Sequence, residues 1–388
     1  MSANYKMKIL SLFDGISCGR VALERAGLHV SRYVAYEINQ DAINVSNWNW
    51  PGIEHKGTVE GADFTQYRGF DMVIGGFPCT DLSIGKSNRK GLAGKHSRLF
   101  WEQVRAIKEV QPRYFLVENN YRMPKKDETI ITETLGVKPI LINSALVSAQ
   151  NRNRLYWTNI PHLTKPDDRG VMLADILEER VPLKYYHMEG SLDYLTRGLK
   201  NSRFLQKEDN EKSNCLLSVY AKGVPYNALA VKPLYGVLQR PRGFNRGGVH
   251  INKSPTITSN SWQHNNLIIY RGALKSYCLT ASYANTHITR IYQDEGKTQI
   301  YETGKTGVPL LVEDGLLHYK ERKIPVKLSD GLYAIRKLTP VECERLQTLP
   351  DGYTEMVSDT QRYRQLGNGW TVEVIVHIFN HIHLDNLI

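Results

Sequence analysis

Along the first 160 or so residues, short unbroken apolar runs alternate with stretches in which apolar side chains recur every three or four positions. The runs read as buried strands, and the stretches between them as helices packed on a sheet. Strands are predicted at Lys8–Phe13, Tyr33–Glu37, Met72–Gly75 and Tyr114–Val117, with two more around Ile140–Val147 and Leu155–Thr158. Helices are predicted at Arg20–Ala26, Gln40–Trp48, Leu99–Val110 and within Asp127–Leu135. Such βα alternation predicts an α/β fold built on a doubly wound, mostly parallel sheet of six or seven strands.

From about residue 180 the pattern changes, and Tyr, Asn, Ser, Gly and Lys become frequent. Three stretches share a loose pattern: Lys212-Ser213-Asn214-Cys215-Leu216-Leu217-Ser218, Lys253-Ser254-Pro255-Thr256-Ile257-Thr258-Ser259 and Lys275-Ser276-Tyr277-Cys278-Leu279-Thr280-Ala281. Each reads as a turn followed by a short strand, which predicts a smaller β-rich domain with long loops. Helical periodicity returns at Leu338, where Thr339 suits an N-cap and Pro340 a first helical position, with a run to Leu349. A last helix is predicted from Trp370 to His381 after Gly367-Asn368-Gly369. The domains implied are 1–180 together with 331–388, and 181–330.

Composition narrows the class. With 41% hydrophobic and 23% charged residues over 388 positions, the chain has neither the bias of a disordered protein nor an apolar run of about 18 residues, so a membrane protein is not expected. The N-terminus enters a strand directly, without the pattern of an export signal, and a cytoplasmic location is expected. Five scattered Cys form no CxxC pair, so neither a disulfide scaffold nor a metal site is expected. The net charge is +11, and residues 181–300, with 16 Lys and Arg against seven Asp and Glu, hold +9 of it. A polyanionic partner for the second domain is the implied consequence.

Three places carry candidate chemistry. Phe13-Asp14-Gly15-Ile16-Ser17-Cys18-Gly19 joins the first strand to the first helix, where glycines permit a tight turn and a helix start offers free N–H groups. Glu37 ends the second strand, where an acid can accept from ribose hydroxyls, and Asp63 follows at the third strand's end. This describes an adenosine-type pocket, although a glycine-rich first turn also serves packing alone. Next, Gly75-Gly76-Phe77-Pro78-Cys79-Thr80-Asp81-Leu82-Ser83 places a cysteine at the C-terminal end of a central strand, where a thiolate is a strong nucleophile. A buried structural cysteine is the alternative for any single Cys. Finally, Phe115-Leu116-Val117-Glu118-Asn119-Asn120 ends in an acid on the neighbouring strand, and Gln150-Asn151-Arg152-Asn153-Arg154 sets two arginines at i, i+2, on one face of a strand.

These blocks, in this order and with Gly367-Asn368 at the end, resemble the motif set of the DNA (cytosine-5) methyltransferases. Asp14-Gly15-Ile16, Asp81-Leu82-Ser83-Ile84, Arg89-Lys90-Gly91-Leu92 and Arg98-Leu99-Phe100 are most similar to the animal de novo enzymes, while the short chain suits a stand-alone bacterial or phage enzyme of the restriction-modification kind. The resemblance implies methyl transfer from S-adenosylmethionine, leaving S-adenosylhomocysteine, to C5 of a cytosine flipped out of a specific double-stranded DNA sequence, with no metal. The implied actor is a monomer on DNA, with no membrane partner. It implies that Cys79 attacks C6, Glu118 meets N3, Arg154 holds the base carbonyl and orients Glu118, and Arg152 supports the covalent intermediate. Phe13, Asp14, Gly15, Ile16, Glu37, Asp63, Pro78, Leu99, Asn368 and Trp370 are the implied cofactor contacts. Phe77, Pro78, Ser83 and Asn119 are implied at the base. Arg240, Arg242 and Arg246, with Thr258 or Thr280, are implied in a target-recognition domain at 181–330. Three departures stand out. Ser17-Cys18-Gly19 replaces paired glycines, Asn120 replaces a valine, and Gly369-Trp370 replaces a small serine and an aliphatic residue. The nearest rival is an RNA (cytosine-5) methyltransferase of the transfer-RNA type. A catalytically silent DNA-binding homologue and a pyrimidine-nucleotide methylase stand further off.

Overall fold

The computed structural model describes residues 5–78, 82, 91–94, 97–178, 181–187, 191–193, 196, 205–207, 212–218, 220, 228–231, 235–239, 248–251, 266–270, 276–278, 290–292, 310–326, 328 and 330–382. The chain divides into two compact units: Met1–Ile176 with Lys212–Ala221 and Cys343–Ile388, and Leu177–Glu211 with Lys222–Glu342.

The first unit is built on a seven-stranded sheet of β1 (Met7–Leu12), β2 (Val30–Tyr36), β3 (Glu54–His55), β4 (Met72–Gly75), β5 (Tyr114–Asn120), β6 (Ile140–Asn143) and β7 (Asn153–Thr158). Their order is β3-β2-β1-β4-β5-β7-β6. Parallel pairing runs from β3 through β5, and β7 is inserted antiparallel between β5 and β6. The helices of this unit are α1 (Cys18–Arg25), α2 (Gln40–Asn49), α3 (Phe100–Val110), α4 (Lys125–Leu135), most of α5 (Pro340–Leu346), α6 (Asp359–Asn368) and α7 (Val372–Phe379). The sheet is doubly wound, as the sequence predicts. Winding reverses between β1 and β4, and the crevice beyond the carboxyl ends of such strands is where open α/β sheets bind ligands. Two apolar clusters flank it: one of Leu10, Leu12, Val34, Tyr36, Phe64 and Val73, the other of Phe77, Leu82, Phe100, Val117, Leu155 and Trp157.

Local chemistry sets the element ends. Asn39 caps α2 by accepting from the Ala42 amide at 3.1 Å. The strand expected over Ile140–Val147 stops at Asn143, whose carbonyl oxygen Oδ1 accepts from the Ala145 amide at 3.0 Å and starts a 3-10 turn at Ser144–Leu146. The sequence pattern misses α6, because its buried face consists of Tyr363, Gln365, Leu366 and Gly367 and carries too little apolar periodicity to register. The last helix is accordingly shorter than expected, with Gly369 extended between α6 and α7 and Thr371 at the N-cap of α7.

The second unit is mostly antiparallel. A six-stranded sheet has the order β17-β16-β15-β18-β9-β8. Its strands are β8 (Leu205–Lys207), β9 (Ala228–Val231), β15 (Leu310–Glu313), β16 (Leu316–Tyr319), β17 (Arg322–Pro325) and β18 (Gly331–Arg336). Between β9 and β15, a three-stranded sheet joins β10 (Tyr235–Gln239), β11 (Gly248–Ile251) and β12 (Asn266–Tyr270), and a hairpin pairs β13 (Ser276–Cys278) with β14 (Arg290–Tyr292). Ala230, Leu310, Val312, Leu317, Ile324, Tyr333 and Ile335 form its core. At the start of α5, Thr339 and Glu342 form a reciprocal capping box: the Glu342 amide donates to Thr339 Oγ1 at 3.1 Å and the Thr339 amide to Glu342 Oε2 at 2.8 Å. Among the described residues, no helix is long and apolar enough to cross a membrane.

Candidate active site

The turn from β1 into α1 is wound left-handed at three of five residues, with φ of 56° at Phe13, 59° at Gly15 and 60° at Ser17. Two of the three are not glycine, a costly backbone that the surroundings must hold in place. Asp14 is the anchor, since its carboxylate accepts from the hydroxyls of Ser11 (2.6 Å), Tyr33 (2.7 Å) and Ser17. Desolvation pushes the Asp14 carboxyl above its ordinary range, and those three hydroxyls oppose the shift. The Gly15 amide donates to Glu37 Oε2 at 2.9 Å, while Glu37 Oε1 accepts from the Ile38 and Asn39 amides. Glu37 is thus fixed by three backbone N–H groups at the end of β2, beside an Ile38 side chain that is 77% exposed. Phe13 and Leu99 pack at the partly buried edge of the same apolar cluster. Asp63 stands apart: it is exposed, and the hydroxyl and amide of Thr65 hold its carboxyl below the usual range.

At the adjoining strand ends, Glu118 projects from β5 with only 9% of its surface exposed. Its Oε1 lies 3.0 Å from Arg154 Nε on β7, and its Oε2 accepts from the Trp370 indole N–H at 3.0 Å. Gly76, which follows β4, admits this arrangement, because a Cβ there would lie 2.6 Å from Glu118 Oε2 and 3.1 Å from Trp370 Nε1. Asn119 turns the other way. Its side-chain amide donates to the Phe77 carbonyl at 3.0 Å, while the Ser97 hydroxyl donates to the Pro78 carbonyl at 3.1 Å, so the chain leading into Cys79 is tied down from two sides.

Arg152 is buried, at 3% exposure, and its guanidinium donates to the carbonyls of Leu216, Gly367 and Gly369 and to Cys215 Sγ at 3.4 Å. Arg154 Nη2 approaches the same sulfur at 4.0 Å, so the i, i+2 arginines do converge on one side. Gln150 completes the dock: its Oε1 accepts from the Leu216 amide at 2.9 Å and its Nε2 donates to the Leu346 carbonyl. Cys215 was not among the sequence candidates. Desolvation alone would push its thiol up, but the two guanidiniums outweigh burial and hold it below the ordinary thiol value. The signal available in the sequence was the first of the three Lys-Ser stretches, which the structure places against the arginine block.

Ile16 is buried with its carbonyl accepting from the Tyr353 hydroxyl at 2.8 Å, and Asn368 is exposed at the end of α6. Glu118, Arg154, Trp370 and Gly76 therefore form one group, and Phe13, Gly15 and Glu37 a second around the β1 turn. Cys79, Ser83, Arg240, Arg242, Arg246, Thr258 and Thr280 lie outside the described residues.

A profile of C-5 cytosine-specific DNA methylases matches residues 7–384. The chain belongs to this family. It is a DNA (cytosine-5-)-methyltransferase by that membership. Among similar proteins, the orphan methyltransferase M.SPRI of Bacillus phage SPR is 24% identical over 97% of each chain. The type II methyltransferase M.Sau3AI of Staphylococcus aureus is 26% identical over 80% of this chain and 77% of its own. The fold of this methylase is also that of two solved structures. Dnmt2 of S. pombe matches at a TM-score of 0.57 with 14% identity, covering 98% of this chain and 99% of its own. DNMT2 of Spodoptera frugiperda matches at 0.58 with 18% identity, covering 97% and 99%.

Proposed function

We propose that this methylase transfers a methyl group from S-adenosylmethionine to C5 of a cytosine in double-stranded DNA through a transient Cys79–C6 bond. The observation that carries the reading is the Glu118 carboxyl, clamped between Arg154 and Trp370 at the end of β5, one strand over from the segment that leads into Cys79. An acid so held is what attack on a pyrimidine ring requires, since the charge pushed into the ring must be met at N3.

The β1 turn suits the cofactor. Glu37 is fixed at the end of β2 with further lone pairs for a pair of hydroxyls, and the partly buried Phe13 and exposed Ile38 offer apolar surface for an adenine ring. Phe13, Asp14, Gly15, Ile16, Glu37, Pro78 and Leu99 would hold it, with Asp63 and Asn368 as further contacts, whereas Trp370, implied there by the resemblance, meets the Glu118 carboxyl instead. When bound, S-adenosylmethionine supplies an electrophilic methyl group.

The chain's own groups do the rest. The Cys79 thiolate adds to C6 while Glu118 gives a proton to N3, leaving an enamine whose C5 is nucleophilic. Once C5 carries the methyl group, its proton leaves to a base or water, N3 returns its proton to Glu118, and the C6–S bond breaks. Arg154 holds the Glu118 carboxyl and the base carbonyl. Arg152, spending its guanidinium on carbonyls, supports the adduct by fixing the walls around it. Phe77, Pro78, Ser83 and Asn119 border the base. Flipping exposes C6, which is unreachable within the stack, at a cost of a few kcal/mol. Residues 181–330 read the DNA, with Arg240, Arg242 and Arg246 and the Thr258 or Thr280 element against phosphates or guanine. The relatives' names favour a restriction-modification or phage setting.

The test is trapping. Plasmid DNA replicated with 5-fluorocytosine should yield an irreversible protein–DNA adduct, because fluorine at C5 cannot be removed as a proton. The adduct should require S-adenosylmethionine and vanish in Cys79→Ser. Absence of any adduct, or an adduct unchanged in Cys79→Ser, would contradict the reading.

A further inference from the structure

Trp370 is held from both sides. The carbonyl of the preceding Gly369 accepts from Arg152 at 2.9 Å, and the hydroxyl of the following Thr371 donates to Gln347 Oε1 at 2.8 Å. Between these anchors the indole reaches from the start of α1, where its Cζ3 would lie 3.5 Å from a Cβ on Gly19, to the Glu118 carboxyl at 3.0 Å. A glutamate clamped at one oxygen keeps a broad terminal torsion about which the carboxyl plane swings. Arg154 Nε meets Oε1, and the indole N–H meets Oε2. Indole nitrogen is a donor and never an acceptor, so it takes no proton from Glu118 and competes with no substrate for one.

We propose that Trp370 is a positioning residue for Glu118, turning the carboxyl toward the base; this rests on the reading of Glu118 as the group that meets N3. The role differs from that of a cofactor wall, which would act on S-adenosylmethionine affinity.

The experiment is single-turnover transfer of labelled methyl to unmethylated plasmid DNA, with cofactor affinity measured alongside by titration. Trp370→Phe keeps a ring and removes the donor. It should slow transfer about 10- to 100-fold, the range for losing one hydrogen bond to a charged group. Cofactor affinity should change by less than about threefold. Gly76→Ala, which drives Glu118 and Trp370 apart, should give the same signature in a protein with an intact indole. In a Glu118→Gln background, Trp370→Phe should change the residual rate by less than about twofold. An unchanged rate, a loss confined to cofactor affinity, or the same loss in the Glu118→Gln background would overturn the proposal. Full activity of Glu118→Gln with Trp370 intact would instead overturn the role given to Glu118.

Discussion

Gly367→Ala tests how the arginine block is assembled. A Cβ at position 367 would lie 2.2 Å from the Ser218 amide nitrogen, 2.4 Å from the Leu217 carbonyl carbon and 2.5 Å from Ser218 Cα. These are backbone atoms, so no rotamer change relieves the overlap, and either α6 or the 212–218 segment must move. That segment is held by hydrogen bonds from Arg152 to Leu216, from Leu216 to Gln150 and from Asn151 to Ser213. Overpacking a rigid contact costs about 1–3 kcal/mol, and displacing the segment would also strip buried Arg152 of one carbonyl partner, worth about a further 1–3 kcal/mol. At about 2–4 °C per kcal/mol for a unit of this size, the thermal midpoint should fall by roughly 4 °C or more. The variant should also lose the guanidinium field at Cys215, so alkylation of that thiol, followed by mass mapping near pH 7, should change in rate. Gly367→Ala with an unaltered midpoint and unaltered Cys215 labelling would refute the docked segment.

Other outcomes follow from the same structure. In the wild-type protein near pH 7, iodoacetamide should label Cys215 well ahead of Cys18, whose thiol burial pushes up to about 12; equal rates would contradict the arginine effect at Cys215. Burial lowers His187 to about 4. Below pH 6.5 the unfolded chain therefore takes up a proton that the folded one refuses, and stability is lost as pH falls from about 6.5 to 4. His187→Gln should flatten that part of the denaturant-unfolding profile, and an unchanged slope would show that the site does not carry it. Arg336 and Glu342 form a buried bidentate pair at 2.7 and 2.8 Å. Glu342→Ala, which removes both bonds of this buried pair together with the capping box, should cost about 3–5 kcal/mol in denaturant unfolding, and a loss under 1 kcal/mol would contradict the packing.

Much of the first unit was legible because parallel strands are buried on both faces and so appear as unbroken apolar runs. Met72–Gly75 is the clearest case, predicted and observed with the same ends. The capping box at Thr339 was half legible, since the hydroxyl and Pro340 mark a helix start, whereas the Arg336 contact that buries Glu342 leaves no local sign. α6 was hidden because its buried positions include Gln365 and Gly367, chosen for hydrogen bonding and close approach rather than for apolar area. The acid and both arginines of the site could be read as chemistry. Their partners could not: that Trp370 meets Glu118 across 252 positions, or that Cys215 meets Arg152 across 63, depends on tertiary packing and on no spacing rule.

Transfer of a labelled methyl group shows whether this methylase modifies cytosine in DNA. The protein is incubated with methyl-labelled S-adenosylmethionine and, in parallel, unmethylated duplex DNA, transfer RNA and free pyrimidine nucleotide, with Cys79→Ser as the control. Label should appear as 5-methylcytosine in the duplex alone and disappear with Cys79→Ser. Label confined to RNA or nucleotide would rule out DNA as the substrate, and a fully active Cys79→Ser protein would rule out the Cys79 adduct.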